Sequence, residues 1–128
     1  MPSPFVLITT HEVSLGRLTD VVELSGRYEQ RIRAEEPDLL GFHAYLSDDG
    51  SRLSLLHLLA DAEAAEHHLA VAAPFIAEAD GVLRNLRVDT YGEPGPRLQG
   101  ALDRNAEAGT PVHVHARALG GFEQEALR

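Results

Sequence analysis

The sequence predicts an α+β fold of the ferredoxin-like type, with a four-stranded antiparallel sheet and two helices in the order βαββαβ. Two kinds of stretch alternate along the chain. One kind is rich in β-branched residues or alternates between apolar and polar side chains, and the other has apolar residues at every third or fourth position. An Asp-Gly pair joins the two middle strands, as in a hairpin. The 128 residues, 44% of them hydrophobic, suffice for one such core without disulfides.

The first half of the chain supplies a strand, a helix and a hairpin. Residues 5–10 (FVLITT) are β-branched and aromatic and indicate a strand. From Leu18 the apolar period becomes helical, and this helix is expected to end before Pro37, because a proline disfavours helical backbone in the preceding residue. The hairpin strands are residues 41–46 and 52–60, joined at Asp49-Gly50.

The second half begins with a capped helix. Asp61 can accept hydrogen bonds from the first free amides of a helix over residues 62–72. Pro74 is expected to break or kink this helix, with one further turn over residues 75–79. Residues 82–91 (VLRNLRVDTY) alternate between apolar and polar side chains, which indicates a fourth strand with one face of each kind.

A linker rich in glycine and proline, residues 92–96, follows the fourth strand. We therefore expect a ferredoxin-like domain over residues 1–92 and a C-terminal extension over residues 93–128. The extension is predicted to contain a short helix and a fifth strand, and to pack on a partner subunit or exchange with it. Its predicted elements lie near Leu98–Leu102 and over residues 111–119.

The charge balance excludes several classes of partner. The net charge is −9, and all basic side chains are arginines. Nucleic acids and anionic membranes bind to basic patches, which this composition does not favour. The N-terminus lacks the features of a signal peptide or a membrane span, so a cytoplasmic location is expected. The lysine-free, alanine- and arginine-rich composition is typical of a bacterial genome of high GC content.

Several short motifs resemble the antibiotic biosynthesis monooxygenase family over residues 5–91. They are Gly16 at the start of the first helix, Ala34-Glu35-Glu36-Pro37, and Asp61-Ala62-Glu63-Ala64 with His68 in the second helix. The resemblance implies a homodimer in which two sheets pack into a dimeric α+β barrel, with a small-molecule cavity in each protomer. It also implies oxygenation of an aromatic substrate by molecular oxygen, with no metal or flavin cofactor.

The sequence departs from the family pattern at three places. The family's Glu-Pro-Gly turn is Glu36-Pro37-Asp38 here. Thr9 and Leu59 stand at about the positions where active members commonly carry an asparagine and a tryptophan, and the chain contains no tryptophan. Haem degradation, which relies on those residues together with a histidine, is therefore disfavoured, and oxygenation is less strongly implied.

Two histidines are the predicted catalytic residues. His68 shares an inward helical stripe with Ala65 and Ala72, whereas His67 is rotated about 100° towards the rim. His57 interrupts a leucine-rich strand face and needs a polar partner, for which His68 or a water is available. Histidine is suited to remove a proton from an electron-rich substrate near neutral pH. The alternative for both is a core histidine satisfied by hydrogen bonds.

Four further residues are predicted to contact substrate: Thr9, Tyr45, Leu59 and Arg87. The polar ones among them are alternatively solvated or interface residues. His113 and His115 have the spacing of a metal-binding pair, but a third ligand is not identifiable, so no metal site is predicted.

Taken together, these features predict a cofactor-independent monooxygenase that oxidises a phenolic, anthrone or quinol-like aromatic. The alternative is a non-catalytic small-molecule-binding or stress-responsive protein of the same barrel type.

Overall fold

The computed structural model describes residues 3–124. Three helices and five strands follow one another in the order βαββαβαβ. The strands are β1 (Phe5–Val13), β2 (Leu39–Leu46), β3 (Arg52–Leu59), β4 (Leu83–Tyr91) and β5 (Val112–His115). The helices are α1 (Leu18–Glu35), α2 (Ala62–Glu78) and α3 (Pro96–Glu107).

The strands form one mixed sheet in the order β2-β3-β1-β4-β5. The first four strands pair antiparallel, and β5 pairs parallel to β4. The α+β class is thus confirmed, whereas the predicted four-stranded antiparallel sheet is corrected to a five-stranded mixed one. A parallel neighbour requires a crossover connection, and α3 provides it.

One face of the sheet carries the core. Along β1 and β3 the buried side chains alternate with more exposed ones, as expected for a sheet covered on one side. Phe5, Leu7 and Leu59 pack against Ala65 of α2 and Leu98 of α3. Tyr28 and Ile32 of α1 meet Val71 and Ala72 of α2 in a neighbouring cluster. The three helices therefore share this inner face.

A register shift in the β1–β4 pair changes which side chains of β4 face inward. Thr10 lies opposite Arg87, but the next residue, His11, lies opposite Asn85, so Leu86 is an extra residue in the ladder. The regular alternation predicted for this strand is therefore wrong at its start. Asn85 reaches the inner side with His11, and Arg87 remains on the outer side.

Local signals predicted the caps and the hairpin turn correctly, but not every element length. Asp61 accepts a hydrogen bond from the Ala64 amide at 2.9 Å, as predicted. Gly50 has φ +73°, which the turn after Asp49 requires. Helix α2, however, continues through Pro74 to Glu78. The proline removes one backbone hydrogen bond, but Phe75 packs against the Tyr28 cluster and keeps the last turn on the core.

The C-terminal extension is longer in its helix and shorter in its strand than predicted. Helix α3 runs to Glu107, and β5 contains only four residues. The first free amides of α3 are capped from another helix: Glu66 of α2 accepts hydrogen bonds from the amides of Arg97 at 2.9 Å and Leu98 at 2.7 Å. Gly95 permits this approach, because a Cβ there would lie 2.5 Å from the Glu66 carboxylate.

The outer face of the sheet carries half-exposed apolar side chains. Leu58 and Tyr91 are 37% and 38% exposed and flank Val6 on neighbouring strands, and Ile8 lies opposite Leu56. We call these five residues the outer sheet patch. Among residues 3–124, the helices are too short or too polar to cross a membrane.

Candidate functional site

Three buried polar side chains from three different elements meet beneath the helices. Tyr28 comes from α1, His57 from β3 and His68 from α2. The two histidines are each 2% exposed, and Tyr28 is 8% exposed. Each occupies an inward position dictated by the period of its element, three or four residues in the helices and two in the strand. Burial of three such groups is tolerated only if they satisfy one another.

The three side chains form a continuous hydrogen-bonded chain with Glu36, which follows α1. The Tyr28 hydroxyl lies 2.8 Å from His57 Nε2 and 3.1 Å from His68 Nε2. His68 Nδ1 lies 2.9 Å from one carboxylate oxygen of Glu36 and 3.0 Å from the other. At the far end, His57 Nδ1 lies 3.2 Å from the Leu7 carbonyl oxygen. We call Glu36, His68, Tyr28 and His57 the relay.

Hydrogen-bond chemistry fixes the direction of each contact. The Leu7 carbonyl can only accept, so His57 Nδ1 carries a proton, and in a neutral ring Nε2 then has a lone pair. The Tyr28 hydroxyl must donate to that lone pair. Its oxygen therefore accepts from His68 Nε2–H. A hydrogen bond between His68 Nδ1 and Glu36 requires one further proton, since two lone pairs would otherwise face each other.

The relay thus has three internal contacts and needs three protons to fill them. If both histidines and Tyr28 are neutral and Glu36 is ionised, only two protons are available for these contacts. The third enters when the relay gains one proton, and it then holds a histidinium beside a carboxylate. In this loaded form, whose net charge is zero, each of the three contacts is a hydrogen bond. The relay can therefore release and recover one proton without any large movement.

Burial determines the protonation of the inner end of the relay. Burial and, to a smaller extent, the nearby His68 lower the pKa of His57 to about 3. His57 is therefore neutral near pH 7, as its contact with Leu7 requires. Burial, with a contribution from the negative charge of Glu36, raises the pKa of Tyr28 above its ordinary value. Tyr28 accordingly remains a hydroxyl that can both donate and accept.

The relay borders a cavity of about 690 Å³ between the sheet and the helices. Tyr28, His57 and His68 all line it. Most of the remaining wall is apolar and comes from all three helices and the inner sheet face; it includes Leu24, Leu55, Leu69, Phe75, Leu98 and Ala101. The volume is in the range of small-molecule sites, and the polar groups are few and convergent, as is usual for such sites.

A second polar group lines the cavity farther along the sheet. His11 Nε2 lies 2.8 Å from the Thr9 hydroxyl, and the Asn85 amide donates to the Asn105 amide oxygen at 2.9 Å. All four of these residues line the cavity. Burial lowers the pKa of His11, which favours its neutral form. His11 is four residues from Leu7, the strand partner of His57, which places this group roughly 13 Å from the relay end.

The structure places the predicted site residues in two groups. His68, His57 and Thr9 all line the cavity, and Tyr28 is the partner that His57 was expected to need. Leu59 is fully buried in the packed core and is absent from the cavity wall.

Tyr45 and Arg87 lie on the outer side of the sheet, away from the cavity. A single cross-strand row runs Tyr45, Ser54, Thr10, Arg87, and Thr10 points opposite to the cavity-lining Thr9. Arg87 forms a bidentate ion pair with Asp89 there, at 2.7 and 3.0 Å. The cavity gives no support to the prediction that these two residues contact substrate.

The other histidines lie outside the relay. His67 is exposed, and its Nε2 donates to the Glu35 carbonyl at 3.1 Å, in agreement with the predicted rim position. His115 stacks on Tyr91 with ring centroids 4.4 Å apart, and His113 lies opposite Asp89 in the β4–β5 pair. Within residues 3–124, groups of three or more histidine and acidic side chains that could hold a metal ion are absent.

Two relay members were missed by reasoning from the sequence. Tyr28 lies on the apolar stripe predicted for α1, and a tyrosine on a core stripe signals a hydroxyl in need of partners. Glu36 is 4% exposed and belongs to the short motif before Pro37. Its other side lines a surface depression shared with Asp38, Asp61 and His67.

Comparisons with known proteins support the fold. The sequence matches none of the available family models and none of the curated proteins. Among solved structures, MupZ from Pseudomonas fluorescens is similar with a TM-score of 0.75 and 15% identity, over 96% of each chain. Rv0793 from Mycobacterium tuberculosis has a TM-score of 0.63 and 18% identity, over 73% of this chain and 97% of that one.

A third similar structure is a Lactobacillus acidophilus protein provisionally named a monooxygenase. Its TM-score is 0.61 at 16% identity, and the match covers 70% of this chain and 43% of that one. Identities this low establish the shared fold alone, because one fold supports many functions.

Proposed function

We propose that the protein is a cofactor-independent monooxygenase that oxidises a phenolic, anthrone or quinol-like aromatic with molecular oxygen. The supporting observation is the relay at the wall of a largely apolar cavity. Such an oxidation needs a proton acceptor beside an electron-rich substrate and an environment that limits the access of water. Tyr28, His57 and His68 supply the first requirement, and the leucine-rich wall contributes to the second.

For an anthrone, the proposed reaction balances without an added reductant. The relay removes a proton from the methylene between two aromatic rings, and the resulting anion passes an electron to oxygen. A carbon–oxygen bond then forms, giving a peroxide at that carbon. Loss of water leaves a carbonyl group, so that CH₂ and O₂ become C=O and H₂O. The substrate supplies all four electrons.

The relay's proton count suits both halves of this reaction. With two protons it has one unfilled contact and acts as a base. With three protons it acts as an acid and can return a proton when water leaves. Glu36 lies between His68 and the surface depression, so it also provides a path by which the relay can exchange protons with solvent.

Oxygen consumption with a panel of anthrones and hydroquinones tests this proposal. His68→Ala should lower the rate by at least about a hundredfold, the usual scale for loss of a general acid–base group. The matched control is His67→Ala, because the neighbouring histidine is exposed and bonds only to a backbone carbonyl. Its rate should stay close to that of the wild type. Equal rates for the two variants would remove His68 from the chemistry.

We also propose that the active form is a homodimer. The outer sheet patch is the feature that supports it, because half-exposed apolar side chains on several neighbouring strands are suited to packing against a second sheet. Tyr45 and Arg87 lie on the same outer face and would then border the subunit interface. Light scattering that gives a monomeric mass at micromolar concentration would contradict this assembly.

A second candidate function is ligand binding without catalysis. The specific observation in its favour is that the ring nitrogens of His57 and His68 are all satisfied within the protein, as in a structural network. In that case the panel compounds should bind to the cavity without oxygen consumption above the background rate. His68→Ala would then lower stability and leave that background unchanged.

A further inference from the structure

Helix α3 forms one wall of the cavity. Leu98, Ala101, Leu102, Arg104 and Asn105 all line it from successive turns of the helix. Leu98 and Leu102 are buried against the core, whereas Ala101 is half-buried and presents the smallest side chain of this wall. The cavity is therefore not a property of the βαββαβ part alone. The C-terminal extension determines its extent on this side.

Polar contacts hold α3 in place at both ends. Glu66 binds the amides of Arg97 and Leu98 at its start. Near its end, Asn105 accepts from Asn85 and donates to the Ala101 carbonyl at 3.0 Å. Both Glu66 and Asn85 belong to elements that themselves border the cavity. The position of the wall is thus tied to the elements that it faces.

The structural matches cover different shares of this chain. Rv0793 is matched over nearly its whole length, yet more than a quarter of this chain has no counterpart in that match. MupZ, by contrast, matches almost all of this chain. Helix α3 follows the βαββαβ elements and borders the cavity, so it is suited to set which ligands fit, because its side chains can change without altering those elements.

We infer that α3 is a specificity-determining wall and that Ala101 sets the space available to large ligands. This inference rests on the proposed function, because it assigns to the same cavity a preference for multi-ring over single-ring aromatics. The apolar wall between the relay and the second polar group leaves room for a multi-ring ligand. A single ring needs only part of the distance between the relay and the second polar group.

Anaerobic binding titrations of two matched variants test the inference without requiring turnover. Ala101→Leu adds bulk to the cavity wall, and Ala106→Leu makes the same change at an exposed position of α3 outside the wall. The probes are 1,4-hydroquinone, with one ring, dithranol, with three, and the dye 8-anilinonaphthalene-1-sulfonate. Thermal unfolding of both variants serves as the folding check.

Ala101→Leu should weaken the binding of dithranol and of the dye at least tenfold, and the binding of hydroquinone less than twofold. Ala106→Leu should leave the affinity for all three probes unchanged. Equal affinities in all proteins, equal losses in both variants, or no binding of any probe to the wild type would overturn the inference. If the dye follows the expected pattern and dithranol does not bind, the wall is supported and the proposed substrate class fails. Oxygen consumption is measured separately, so the two conclusions can fail independently.

Discussion

The imidazole rings of His57 and His68 lie 4.5 Å apart, centroid to centroid, and share a single tyrosine hydroxyl. Two histidines this close and this deeply buried cannot both carry a positive charge. The carboxylate of Glu36 contacts His68 and not His57. The pair is therefore asymmetric, because the inner ring is neutral and only the outer ring has a carboxylate beside it.

Removal of the Tyr28 hydroxyl should break the hydrogen-bonded connection between the imidazole rings of His57 and His68. Tyr28→Phe leaves two buried imidazole nitrogens without their partner, and each unsatisfied group costs about 1–3 kcal/mol. We expect the free energy of unfolding in urea to fall by about 2–6 kcal/mol. Oxygen consumption should fall by at least about a hundredfold.

The control for this substitution is Tyr45→Phe, which removes the same atom from a tyrosine that is 58% exposed. It should change neither the stability nor the rate. If the two variants behave alike, the hydroxyl of Tyr28 does not join the histidines in solution.

Acid should destabilise the protein through His57. Its pKa is about 3 in the folded chain against an ordinary value of 6.5, so below pH 6.5 only the unfolded chain binds the proton. Stability should therefore decrease as the pH falls from 6.5 towards 3, by about 1.4 kcal/mol per pH unit from this residue. Above pH 6.5 the contribution is constant.

The variant His57→Gln tests this pH dependence, because glutamine can both donate and accept but does not titrate. Urea unfolding of both proteins is measured between pH 4 and 7. As the pH falls, the free energy of unfolding should decrease less steeply in the variant, and the difference in slope should correspond to about one proton. His11 and the carboxylates are present in both proteins and cancel in the comparison. Parallel curves would contradict a neutral buried His57.

The cap of α3 should stabilise the extension measurably. Glu66→Ala removes two hydrogen bonds to the amides of Arg97 and Leu98, and loss of a helix N-cap costs about 0.5–2 kcal/mol. Urea unfolding should show a loss of that size. Glu29→Ala is the control, since Glu29 is an exposed glutamate of α1. A loss of equal size in the control would attribute the effect to net charge instead.

A charge in the outer sheet patch should dissociate the proposed dimer. Leu58→Glu would bury a carboxylate between two sheets, whereas in a monomer the side chain at this position is already 37% exposed. Sedimentation equilibrium should show dimer affinity reduced at least about tenfold, by the cost of burying a charge. Val22→Glu on α1, which is 57% exposed, should leave it unchanged. An unaffected dimer in Leu58→Glu would place the interface elsewhere.

Features encoded by neighbouring residues were predicted from the sequence most reliably. The Asp49-Gly50 turn and the Asp61 cap depend on one or two residues each, and both are present. Features set by distant contacts were not predicted. The parallel pairing of β5 depends on the docking of α3, and the extension of α2 beyond Pro74 depends on the packing of Phe75.

The same distinction applies to the site. His57 and His68 were predicted because helix and strand periods place each on an inward face. The Tyr28 hydroxyl and the Glu36 carboxylate complete the relay from positions 29 and 32 residues away. Periodicity indicates which face a residue occupies, but not which distant side chain it meets. Likewise, the ladder irregularity near His11 could not be read from the alternation of β4.

Glu66 also affects the order of events during folding, through its contact with the start of α3. Its two hydrogen bonds join positions 31 and 32 residues apart, and the Asn85–Asn105 bond spans 20. Contacts that close such long segments form after local structure, because the loop entropy must be overcome first. The β1–β4 pair closes a longer segment still, since Val6 lies opposite Tyr91. Docking of α3 on α2 therefore need not wait for the sheet, and dye binding should recover together with circular dichroism on dilution from urea.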